Sequence, residues 1–277
     1  MDLSHRFIHL QGYGACTLFT AVVVLICACT QAPSLHSGST ETDSLSLHIN
    51  SPTPYGHLDL FIYADTLTRA LQTHMRTGSG TTLHIPTGDG SRIAVAIANA
   101  RAEFSSFPAT FDTMEKITME YADEDPDSPL LAGSCPLQSG RTAEMDILPL
   151  LCPVSIGKIS IEADAPLEDA VVQLVSANAR AEILRTDGFH PSTVLDSPER
   201  LRHPLMMLRE FPFDIGSRPQ ESGITLWCYP NEDNGGPGGR GTALLISGRQ
   251  QGVEKEFHIP LGPVKRGAQI NLDIELK

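Results

Sequence analysis

Cys29 closes the tetrapeptide Ile26-Cys27-Ala28-Cys29. An aliphatic residue three places before it and a small residue directly before it match a lipobox, where a signal peptidase cuts and the exposed cysteine takes up lipid. Cys27 fits worse, because bulky Ile26 would stand where the small residue is wanted. The physical consequence is anchoring. Each buried acyl methylene contributes ~0.8 kcal/mol, so two or three chains, palmitate among them, hold a protein on a bilayer where one would not. An ordinary signal peptide cleaved after Ala28, or a single membrane anchor, are the alternatives.

Few other residues are arranged for chemistry. There is no G-x-S-x-G elbow, no G-x-x-x-x-G-K loop and no H-E-x-x-H pair. Gly78-Ser79-Gly80 and Gly88-Asp89-Gly90 read as hairpin turns. The ten histidines are scattered without ligand spacing, and His48 and His84 fall on strand positions that face solvent. The acidic run Asp123 to Asp127 and the loop Asn231 to Gly239 have the oxygens calcium prefers but not a binding-loop pattern, so both read as solvated turns. Trp227 and Tyr229 share a face on a regular strand; core packing is the default for such a pair and an exposed sugar platform the alternative. No catalytic residue, metal site or cofactor is expected.

The elements that must position these residues begin with the leader. Arg6 is followed by the uncharged run Ala15 to Ile26. That run is short for a spanning helix, which needs ~20 apolar residues, and suits a signal-peptide core. Residues 1–28 are thus expected to be a leader, and cleavage before Cys29 leaves about 250 residues, enough for one large or two ordinary domains. Residues 29–44 are small, polar and aperiodic, as in a flexible tether. Thr30 in place of aspartate resembles Gram-negative lipoproteins sent to the outer membrane. The net charge of −13 argues against a nucleic-acid partner. Beyond Cys29 only Cys135, Cys152 and Cys228 remain. One disulfide, with Cys135–Cys152 as the candidate, suits an oxidising compartment, and buried free thiols are the alternative.

Strands dominate from Leu45 onward. Leu45, Leu47 and Ile49 alternate with polar residues. Residues 58–63, 82–86, 92–99, 143–148, 158–161 and 170–176 follow, with 92–99 apolar on both faces and therefore central. Helical spacing of Phe111, Met114, Ile117 and Tyr121 predicts one short helix over 112–121. Residues 180–215, punctuated by four prolines, read as a long connection, and no internal repeat stands out. The last third holds strands at 224–229, 242–247, 253–261 and 269–276. Strands separated by turn signals at this spacing predict an all-β fold of β-sandwich type.

The order of features then suggests a family. A lipobox, a tether and Leu58-Asp59-Leu60-Phe61-Ile62-Tyr63 lead to a strand ending Ala98-Asn99-Ala100, then to Met145-Asp146-Ile147-Leu148 and Leu226-Trp227-Cys228-Tyr229-Pro230-Asn231. The strands Thr242 to Gly248 and Glu256 to Leu261 complete the series. This order resembles the fimbrillin superfamily of Bacteroidetes, the subunits of type V pili, and among them the FimB/Mfa-type minor subunits that include cell-surface anchors.

The resemblance implies an all-β fold of two tandem transthyretin-like, Greek-key β-sandwiches, here at 45–155 and 156–277, in a cell-surface protein whose partners are other fimbrial subunits. It also implies a processing step: in polymerising subunits a protease cuts after an early arginine, the first strand leaves, and a neighbour's strand fills the groove. Here no arginine or lysine lies between Cys29 and Thr68, and the first arginine of the folded part is Arg69. The first strand is therefore expected to stay, as in an anchor. Candidate subunit contacts are Leu45, Leu47 and Ile49 at one end and Ile270, Leu272 and Ile274 at the other. Two other classes compete: a surface lipoprotein that binds a glycan through Trp227 and the Gly-rich loop, and a hydrolase with a dispersed site.

Overall fold

The computed structural model describes residues 44–86, 90–100, 108–120, 124–139, 141–184, 194–195, 204–231 and 241–277. The expected leader, Cys29 and nearly all of the tether lie outside them. Residues 41–277 form one compact unit.

The first half starts with β1 (Ser44–Asn50), β2 (His57–Ala64), β3 (Leu71–Gly78), β4 (Thr82–Pro86) and β5 (Arg92–Ala98). It continues through α1 (Phe111–Met114), β6 (Thr118–Glu120), β7 (Leu131–Leu137), β8 (Ala143–Asp146) and β9 (Leu148–Pro149). Strands order as β4-β1-β8 in one sheet and β3-β2-β5-β7-β9 in the other. The two sheets face each other across a core of Leu45, Leu47, Ile49, Leu58, Leu60, Ile62, Ala94, Ala96 and Met145. β2 and β5 are buried on both faces, which is why they read as unbroken apolar runs. Asn99 ends β5 at φ +58°, a left-handed position asparagine tolerates. Its side chain accepts from the Gly56 amide and donates to the Pro129 carbonyl.

The second half runs β10 (Cys152–Ile161), β11 (Glu168–Val175), β12 (Ala177–Asn178), β13 (Arg180–Glu182) and β14 (Val194–Leu195). Then come α2 (Pro204–Met207), β15 (Leu208–Glu210), β16 (Gln220–Cys228), β17 (Ala243–Gln250), β18 (Val253–Pro260) and β19 (Ile270–Leu276). Its sheets order as β16-β10-β19 and β15-β11-β17-β18.

These orders expose a repeat. Strands β1, β2, β3, β4, β5, β7 and β8 correspond in sequence order to β10, β11, β15, β16, β17, β18 and β19. The pairing directions match as well. β1 pairs antiparallel with β4 and parallel with β8, as β10 does with β16 and β19. The chain is thus one seven-strand sandwich drawn twice, with β6, β9 and β12–β14 added. The repeat is one of strand order and pairing direction, and it does not stand out in the sequence.

Four expectations need correction. The helix ends at Met114, because Thr118–Glu120 pairs as β6 with β13, and tertiary pairing overrides the helical spacing. A second one-turn helix, α2, accompanies it. Gly78-Ser79-Gly80 is a crossover between sheets and not a hairpin, since β3 pairs with β2 and β4 with β1. The expected division at 155/156 falls inside β10, which runs unbroken through it. The stretch 180–215, read as a long connection, holds β13, β14, α2 and β15, and β15 joins the sheet of β11. Two strands of the first sandwich were not expected either. β3 is a polar edge strand with little alternation, and β7 carries Gly133 and Pro136. Gly133 answers a close approach: a Cβ there would lie 2.1 Å from the Asp146 carbonyl oxygen.

The sandwiches share a seam. Phe61, Tyr63, Val95 and Ile97, on the far face of the five-stranded sheet, pack in the same cluster as Ile159, Leu226, Tyr229 and Leu244.

Candidate subunit-contact strands

β1 is placed by its alternation. Leu45, Leu47 and Ile49 point into the first core and are 2%, 0% and 3% exposed. Burial of each contributes roughly 1.5–3 kcal/mol. Both backbone edges are used, toward β4 on one side and β8 on the other. The outer face is tied down too. His48 Nδ1 lies 2.9 Å from Thr82 Oγ1, and Asn50 Nδ2 donates to Asp146 Oδ1 at 3.1 Å. His48 is therefore half-buried and partnered on its outer face.

β19 has the opposite character. It pairs with β10 on one edge and has no strand on the other among the described residues. Ile270 and Leu272 are half-buried, Ile274 and Leu276 buried, and Asn271, Asp273 and Glu275 exposed. Such an edge can accept another strand, and its outward carboxylates discourage indiscriminate pairing. Asp273 is partly committed, since its Oδ1 accepts from the Lys158 amide at 2.8 Å across the β10 bulge. A Cβ at Gly157 would meet that same oxygen at 2.7 Å, which explains the glycine.

The expected Cys135–Cys152 bridge is absent, and no bond joins Cys135, Cys152 and Cys228 in the structure. Cys135 lies on β7 opposite Ala94 and packs against the first core. Cys152 begins β10 and packs in the second. Burial raises the Cys135 and Cys152 thiols to about 11.

Trp227 and Tyr229 do not form an exposed platform. Tyr229 is buried, and its hydroxyl donates to Glu124 Oε1 at 3.3 Å; Trp227 is half-buried against the core. Asn231 is buried and pairs its backbone with Val264, while 232–240 lie outside the described residues. Glu124, within the acidic run expected as a solvated turn, is buried. Among the described residues no group of three or more His, Cys, Asp or Glu is placed to hold a metal ion. A groove of about 400 Å³ beside the β10 bulge includes Glu221 and Asp273 in its lining but no histidine or cysteine.

Two polar clusters were not anticipated. Asp59, 1% exposed, takes a bidentate ion pair from Arg76 and a 2.9 Å contact from His74 Nε2. Burial pushes its carboxyl up, and the hydrogen bonds from Arg76 and His74 more than offset this, so it sits below the usual 3.8. A lone aspartate inside Leu-Asp-Leu-Phe-Ile-Tyr was the available signal. The other cluster centres on Arg266, buried in the loop before β19. It donates to the carbonyls of Ala132 and Leu148 at 3.0 and 3.1 Å and to that of Ile183. Burial lowers its guanidinium to about 10, against the opposing influence of Cys152 and Glu124, so it stays charged at neutral pH. Arg266 thereby clamps the second sandwich to β7 and β9 of the first.

No family model matches the chain, and a search of curated proteins finds no match. Solved structures do share the fold. A candidate cell adhesion protein of Parabacteroides distasonis superposes with a TM-score of 0.66 at 10% identity, over 84% of this chain and 87% of that one. A fimbrilin of Porphyromonas gingivalis gives 0.51 at 13%, over 76% and 72%. A fimbrial assembly protein of Parabacteroides distasonis gives 0.51 at 13%, over 84% and 91%. The all-β, two-sandwich fold is therefore one that this chain shares with these adhesion and fimbrial proteins.

Proposed function

We propose that this chain is an anchor or accessory subunit of a fimbria: a non-enzymatic outer-membrane lipoprotein, acylated at Cys29, that holds or caps the filament through strand contacts. In this reading residues 1–28 are a cleaved leader, 29–44 a tether, and the two sandwiches contact other subunits and no nucleic acid. One observation carries the reading. β1 is the central strand of its sheet, bonded on both edges, and no lysine or arginine between Cys29 and Thr68 offers a trypsin-like cut that would release it. A first strand that stays keeps its own groove closed and keeps the lipid joined to the fold. The open edge of β19 is left as the surface for a neighbour's strand.

The test is the amino terminus of protein recovered from the cell surface. We expect a mature chain that starts at an acylated Cys29 and includes β1. A surface form starting beyond Asn50 would overturn the anchor reading, and an unmodified Cys29 the lipid attachment.

A further inference from the structure

We propose that Cys152 and Cys228 form a disulfide in the exported protein, a cross-strand bridge between β10 and β16 inside the second sandwich. The two are direct partners in the antiparallel register of those strands. Such partners have Cα atoms ~4.5 or ~5.5 Å apart, within the ~4.4–6.8 Å that a disulfide accepts. Register partners also point to the same face, and both side chains are 0% exposed in the same core. Cys228 Sγ lies 3.8 Å from the Cys152 carbonyl oxygen. Burial and the neighbouring Cys152 both raise the Cys228 thiol, a second sign that the sulfurs are close. Cys135 packs against the other core and has neither cysteine as a partner in its register.

The step needs an oxidant, and the class that supplies it is a disulfide-bearing thiol oxidoreductase of the export compartment. This requirement makes the proposal rest on the surface reading. One cysteine thiolate attacks the oxidoreductase disulfide, giving a mixed disulfide and freeing one enzyme thiolate. The second cysteine thiolate then displaces the enzyme's other sulfur. The Cys152–Cys228 bond forms as the enzyme's S–S bond is lost, two electrons pass to the enzyme, and both thiol protons end on its two thiols. Because neither sulfur reaches solvent in the fold, exchange precedes closure of the sandwich. Closure then shields the bridge from reductants.

The protein is purified from whichever cell fraction holds it, denatured without reductant, alkylated, and its cysteine peptides mapped by mass. We expect Cys152 and Cys228 joined and unalkylated until reduction, with Cys135 alkylated throughout. Alkylation of both before reduction, in protein from the surface fraction, overturns the bridge and leaves the surface reading standing. Protein retained in the cytoplasm overturns the surface reading instead. The bridge is then decided by refolding the reduced protein, as wild type and as Cys135→Ser, in a glutathione redox buffer. A folded product bridged at 152–228, melting on the order of 5 °C above its reduced form, supports it. A folded product with both thiols free ends it.

Discussion

Asp59 is a carboxylate placed inside a strand that is otherwise apolar, and its partners decide its charge state. Arg76 and His74 stand opposite Asp59 and Phe61 on the neighbouring strand, so the register of β2 and β3 brings the cluster together. Because the folded carboxyl titrates below 3.8, its stabilisation is complete above the unfolded value and is lost as pH falls through the folded one. Asp59→Asn should cost about 1–3 kcal/mol at pH 7. That difference should shrink as the pH drops below 3.8, measured by urea midpoints of both proteins across pH. A pH-independent difference would assign Asp59 a packing role alone. Arg266 makes a parallel case with higher stakes. Arg266→Met removes the donor from three carbonyls and leaves Glu124 without the nearby positive charge, at a cost of roughly 3–5 kcal/mol.

Among the elements, β1 carries the functional argument. Its inward residues are core and its outward ones are a polar ladder, so substitutions on the two faces should differ sharply. Leu47→Ala should destabilise by about 2–5 kcal/mol. Ser46→Ala, on the outer face, should stay within about 0.5 kcal/mol. Denaturant midpoints at unchanged slope are the measurement, and equal effects on both faces would mean that β1 is not seated as described. The strand was legible in the sequence because alternation over seven residues is a local signal. β3 and β7 were not, because an edge strand needs no inward stripe and a glycine is explained only by the backbone that approaches it.

In the whole molecule, the two sandwiches share one apolar cluster and one buried guanidinium, so they should unfold together. We expect a single calorimetric transition for the wild type, with calorimetric and van't Hoff enthalpies equal. Arg266→Met should broaden it or split it in two, because it loosens the clamp more than either core. Two resolved transitions in the wild type would mean that the seam contributes little. Under the anchor role proposed above, a pull applied at the end of the second sandwich would reach an acylated Cys29 only through the first.

Residue by residue, the sequence determined the all-β class, the position of β1 and the lack of a basic residue between Cys29 and Thr68. Each of these is written in local periodicity, composition or a short motif. The tertiary structure alone decided the duplicated strand order, the end of α1, the register that sets Cys152 opposite Cys228, and the burial of Glu124 and Arg266. These depend on which strands lie side by side, and that is settled by contacts between residues up to a hundred or more positions apart. Local pattern states which face of a strand is apolar; only the assembled sheets state what that face meets.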